Sequence, residues 1–278
     1  MKLLFKTPHS RTKIVAFIFF ILPLLVTCSH NKTPIPIGQI PEVVSVNPAD
    51  ERYGHETMTN LSKEYELDYT DPNYQRLVNI VERLSEAINA KQDPWHVFLF
   101  KAPNIKNAGA TKGNHIFVWS GILQTVQKDS ELAAILAHEM AHIIAQHVSN
   151  STLETTQVLV NVASILVGAG VSIAIKDPTL ANNASDLSQV LTNVVGNELF
   201  TNEYSRENEI EADHIGLMIM AKAKYHPQDA INYWKRIEQD PKMAATMKYF
   251  STHPTTRDRI INLEKALPLA LMYYQGKK

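Results

Sequence analysis

Residues 131–147 read ELAAILAHEMAHIIAQH, and that stretch decides the fold. Leu132, Ala133, Ile135, Leu136, Ala137, Ile143 and Ile144 predict a largely buried helix, capped at Asp129 or Ser130 and running to about His147. His138 and His142 stand one helical turn apart, so both imidazoles leave the same face and reach a single Zn²⁺. Glu139, beside the first of them, is placed to take a proton from a metal-activated water and deliver it to a leaving amine. The bland alternative is a pair of satisfied core histidines. Two His and a Glu without partners inside so apolar a helix would be costly, which weighs against it. His147, five residues beyond His142, falls off the shared face and reads as a surface or capping residue.

Two histidines leave zinc short of a third protein ligand. The chain has one Cys, so thiolate cannot complete the set. The acidic candidates cluster in residues 203–213, EYSRENEIEAD. Glu209 is favoured because Ala212, Asp213, Gly216 and Met220 share its helical face, where small residues would let two helices approach closely. Spacing alone leaves Glu207 and Glu211 open. Asp213, one turn after Glu209, is placed to hydrogen-bond a ligating imidazole from behind.

At this point the chain resembles the zinc metallopeptidases of the HtpX and CAAX prenyl protease type. The resemblance rests on HEMAH at 138–142, followed by Ser205-Arg206 and Glu209-x-x-x-Asp213. Residues 51–54, 71–72, 107–111, 115–118, 120–123 and 251–254 also resemble family segments, so the likeness covers about residues 50–265. It implies a gluzincin arrangement with Glu209 as third ligand, and an extended peptide added alongside an edge strand in Asn107 to Val118. It further implies that His253 and Arg259 lie near the metal. His253 would stabilise the oxyanion, or fill zinc's open position and hold the enzyme latent. The substrates implied are misfolded or misassembled envelope proteins, with outer-membrane assembly machinery as partner. The lack of multiple spans makes prenylated peptides a poor match.

The amino terminus reads as an address. Residues 1–27 carry Lys2, Lys6, Arg11 and Lys13, no acid, and the apolar run Ile14 to Val26. That is the pattern of a secretory signal. Leu25-Val26-Thr27-Cys28 resembles a bacterial lipobox, with Thr27 departing from the usual small residue. Cys28 is therefore the expected lipidation site. Ser29 after it implies the outer membrane of a Gram-negative envelope, facing the periplasm. Removing residues 1–27 leaves 23 basic residues against 28 acidic ones, a net charge of −5. Such a chain gives no reason to expect a nucleic-acid partner.

The remaining organisation is that of a helix-rich α+β protein with one domain. Residues 1–27 are read as signal peptide, 28–48 as an extended Pro-bearing tether and 49–278 as a zinc metallopeptidase domain with a small sheet beside the HExxH helix. The expected order is a helix from Pro72 through Ala90 with Asp71 as N-cap, then strands Trp95–Phe100 and His115–Trp119 with an edge strand between. After the HExxH helix come a long helix from about Gln189 to Ala223, one from Pro227 and one after Pro254. Thr155 to Ile175 is 21 residues without a charge. It reads as a buried or partly exposed element beside the active site, with membrane dipping as the sharper alternative. A reading from another class is an envelope chaperone or assembly factor with latent or incidental peptidase activity.

Overall fold

The computed structural model describes residues 33–147, 204–242, 253 and 257–278. The signal region with Cys28 and the uncharged stretch at 155–175 lie outside the described residues. Six α-helices and three strands are described: α1 (Pro48–Glu64), α2 (Pro72–Ala87), β1 (His96–Phe100), β2 (Ala108–Thr111), β3 (His115–Trp119), α3 (Asp129–Ile144), α4 (Arg206–Lys222), α5 (Gln228–Gln239) and α6 (Arg257–Tyr274). None of these helices is long and apolar enough to cross a membrane.

The strands form a three-stranded sheet in the order β1-β3-β2, with β1 parallel and β2 antiparallel to β3. Every residue of β3 is buried, which explains why it reads as an apolar run without alternation. Val97, Leu99, Ile116 and Val118 belong to the main core with α2 and α3, while Phe98, Phe100, Phe117 and Trp119 pack with Leu61 and Met58 of α1. The sheet is thus sandwiched, and α1, a helix that no part of the sequence reading predicted, covers its aromatic face. α2 begins as expected: Asp71 accepts from the Asn73 amide at 2.7 Å, with Pro72 in the first turn.

α3 is the buried spine. Its expected side-chain cap is not there. Lys128 occupies the N-cap position without a side-chain bond, while Asp129 engages Arg76 and the Ser130 hydroxyl donates to Asp229. Glu131, buried in the first turn, accepts both guanidinium nitrogens of Arg236 at 2.8 Å and so ties α3 to α5. α4 crosses α3 at Gly216, where an added Cβ would sit 2.9 Å from the His138 amide nitrogen and 3.0 Å from the Ala137 carbonyl. The small residues foreseen on that face do permit the close approach.

The segment read as a tether is without helix or strand from residue 34 to 47. It is nevertheless packed down. Ile35, Ile40 and Val43 lie against the core, and the Gly38 carbonyl accepts from Tyr273 Oη at 3.0 Å and Lys278 Nζ at 2.7 Å on the carboxyl-terminal helix and tail.

Candidate metal centre

Two helices and the isolated residue His253 converge on a single buried point. His138 and His142 arrive from α3, Glu209 from α4 and His253 from the segment before α6. Each offers one ligand atom, and the four atoms lie within 4.8 Å of one another. His142 Nε2 faces His138 Nε2 at 3.0 Å, and His253 Nδ1 lies 3.3 Å from His138 Nε2 and 2.9 Å from Glu209 Oε1. Glu209 Oε1 is 3.3 Å from His142 Nε2. A single cation at this point would be within reach of all three ring nitrogens and of Glu209 Oε1.

The surroundings fix which nitrogen of each ligand faces inward. His138 Nδ1 lies 3.0 Å from Asp213 Oδ1, the arrangement expected of Asp213; with the proton on Nδ1, Nε2 keeps its lone pair for the centre. His142 is set by a relay that the sequence reading missed. Its Nδ1 lies 3.1 Å from His147 Nδ1, and His147 Nε2 lies 2.7 Å from Glu211 Oε2. With Glu211 accepting from His147, and His147 accepting from His142, the lone pair of His142 Nε2 again points inward. His147 is therefore buried beside a candidate ligand, not a surface residue. The cause is the end of α3: Gln146 adopts φ 54°, the His147 amide donates to the His142 carbonyl at 2.8 Å, and the Gln146 amide donates to the Ile143 carbonyl at 2.9 Å. This reversal folds the chain back over its own last turn.

Arg259 stands behind Glu209 and Asp213. It grips Asp213 with two bonds of 2.6 and 2.7 Å, reaches Glu209 Oε2 at 2.7 Å and donates to the His253 carbonyl at 3.3 Å. These bonds tie both carboxylates and the His253 backbone to one guanidinium. Glu139 is fully buried, with Oε1 3.5 Å from His253 Nε2. Tyr204 stacks on His142 at 3.8 Å and lies 5.3 Å from the His253 ring, a contact with no advance signal in the sequence. Glu207 does not join this group, and Glu211 serves His147 and the Ile35 amide.

The electrostatics favour positive charge at this point. Burial alone would lower His138, but Glu209 and Asp213 more than offset it and hold the ring's pKa at about 9. Burial, His138 and His253 push His142 well below its ordinary value, so it stays neutral. Burial would raise Glu209, yet the neighbouring His253 and His138 hold it well below the usual carboxylate range. Two imidazoles, a carboxylate and a further imidazole, with no thiolate, fit zinc as a borderline ion.

The model of peptidase family M48 matches residues 72–267. The chain belongs to this family of zinc metallopeptidases. Its relatives include the mitochondrial metalloendopeptidase OMA1 of Schizosaccharomyces pombe, 32% identical over 216 residues, covering 75% of this chain and 59% of that protein. OMA1 of Saccharomyces cerevisiae is 27% identical over 248 residues, covering 82% of this chain and 66% of its own length. The beta-barrel assembly-enhancing protease of Yersinia pestis is 26% identical over 192 residues, which make up 68% of this chain and 38% of that protein. The chain thus spans under two thirds of the length of these relatives. The M48 match embraces α2 to the middle of α6, including every candidate ligand.

Proposed function

We propose that this M48 chain is a zinc-dependent endopeptidase of the cell envelope, cleaving misfolded or misassembled proteins, with His138, His142 and Glu209 as zinc ligands. The observation that carries the reading is the convergence of His138 Nε2, His142 Nε2 and Glu209 Oε1 beside the buried carboxylate of Glu139. Zinc bound there supplies a Lewis acid that acidifies water and polarises a peptide carbonyl. Glu139 accepts the proton of the attacking water and returns it to the leaving amine. Asp213 and the His147–Glu211 relay hold the two imidazoles in their ligating tautomers, and Arg259 keeps Asp213 ionised and orients both carboxylates.

His253 adds a resting state. Its Nδ1 sits among the ligand atoms, where it would compete with water or substrate for the metal. That placement supports a latent form opened by substrate. Replacement His253→Ala is expected to keep zinc and raise cleavage of an unfolded protein severalfold; unchanged kinetics would remove the latch from the account.

The name of the Yersinia pestis relative refers to β-barrel assembly, and the expected lipid anchor at Cys28 would put this chain at the periplasmic face of the outer membrane. The OMA1 relatives are mitochondrial, so the envelope placement rests on the amino-terminal sequence. The test is capture in cells: a Glu139→Gln chain, zinc-loaded but inactive, should retain envelope proteins that the active chain degrades. Recovery of the same proteins at the same level with active enzyme would favour a binding or assembly role instead.

A further inference from the structure

A second group of ligand-type side chains lies away from the His138 centre, where α1 crosses the starts of β1 and β3. Glu51, His55 and His115 each present one ligand atom, all within 4.8 Å of one another. His55 Nδ1 is 3.0 Å from His115 Nε2 and 3.7 Å from Glu51 Oε1. Glu51 Oε1 is also 2.9 Å from His96 Nε2, and His96 is the register partner of His115 across the β1–β3 pair. The three imidazoles are grouped, with ring centroids 4.4 Å apart for His96–His115 and 5.1 Å for His55–His115.

The geometry prepares His115 as a ligand. Its Nδ1 donates to the Gly113 carbonyl at 2.7 Å, which places the proton on Nδ1 and leaves the Nε2 lone pair facing His55. The backbone is shaped to the same contact. A Cβ on Gly54 would lie 2.2 Å from His115 Nδ1, so α1 can run against this ring only with glycine at that position. His96, with its Nε2 on Glu51, holds the carboxylate toward the group.

We propose that Glu51, His55 and His115 form a second divalent-metal site that pins α1 to the sheet. Two imidazoles and one carboxylate suit a borderline transition ion such as zinc, and disfavour calcium or magnesium, which take all-oxygen shells. With three protein ligands, a fourth position would remain open on the side of His55, whose ring is the most exposed of the three. The site is a clamp and takes no part in peptide hydrolysis.

Zinc content of the full chain after dialysis against a zinc-buffered solution tests this. The wild-type chain should hold two equivalents. His55→Ala and Glu51→Gln should each hold one, and so should His142→Ala, which loses the other site. In the His142→Ala chain added zinc should still raise the thermal midpoint, and His55→Ala combined with it should abolish that shift. One equivalent in the wild-type chain, or two in either His55→Ala or Glu51→Gln, would overturn the proposal and leave only a hydrogen-bonded histidine cluster. Both replaced side chains are partly solvent-exposed, so the variants do not empty the core.

Discussion

At the scale of single residues, the candidate centre is built from pairs in which one side chain fixes the chemistry of another. His138 depends on Asp213, and His142 depends on His147, which in turn depends on Glu211. Losing such an outer partner typically lowers metal affinity about 10–100-fold. The His147→Ala chain is therefore expected to bind zinc more weakly by that factor while keeping its fold, as measured by competition with a chromogenic chelator. Undiminished affinity would show that the relay does not orient His142. His138, Glu139 and His142 were legible because helical spacing alone brings their side chains to one side. Glu209 was narrowed by the small residues on its face and chosen by family resemblance. His147 was misread because helical spacing was carried past Ile144, where the chain has already reversed. Tyr204 carried no signal at all, since its contact with His142 joins segments more than sixty residues apart.

At the scale of elements, helix ends explain most of the differences between sequence and structure. α2, α3 and α4 all close with a residue at positive φ, and that residue is Asn89, Gln146 or Lys224, never glycine. Without the usual glycine stop, hydrophobic period carries each predicted helix one to three residues too far. A Gln146→Gly replacement relieves the left-handed conformation at an exposed position and should raise stability by about 0.5–1 kcal/mol. An unchanged or lower denaturation midpoint would mean the strain is absorbed elsewhere. The α3–α4 crossing makes the opposite prediction. Gly216→Val drives a side chain into the backbone at Ala137 and His138, and overpacking of this kind costs about 1–3 kcal/mol. Because the crossing also sets the distance from Glu209 to the two histidines, zinc affinity should fall with stability, which a titration followed by thermal melting would reveal. α1 escaped prediction because Arg52, His55 and Glu56 mix with its few apolar residues, and only Tyr53, Gly54, Thr57 and Leu61 are buried.

At the scale of the whole molecule, α3 carries the chemistry while its neighbours hold the reactive groups in place. α4 supplies the carboxylate, α6 supplies Arg259, and α5 secures the start of α3 through Arg236 and Glu131. Since Glu131 is buried, Arg236→Ala leaves a charge without its main partner and should cost about 3 kcal/mol, seen as a lower denaturant midpoint. Zinc couples the same helices, so stripping it with a chelator should lower the thermal midpoint and adding it back should restore the loss. The lone cysteine excludes disulfides within the chain, and cohesion here comes from the apolar core and these buried ionic ties.

If the buried group on α3 and α4 is a zinc peptidase centre with Glu139 as its base, zinc content and cleavage of an unfolded protein, measured on the same samples of wild-type and Glu139→Gln chain, will part company. Zinc at the His138 centre should be equal, and hydrolysis should fall by at least about a hundredfold in the variant. Full zinc with undiminished cleavage would contradict that assignment.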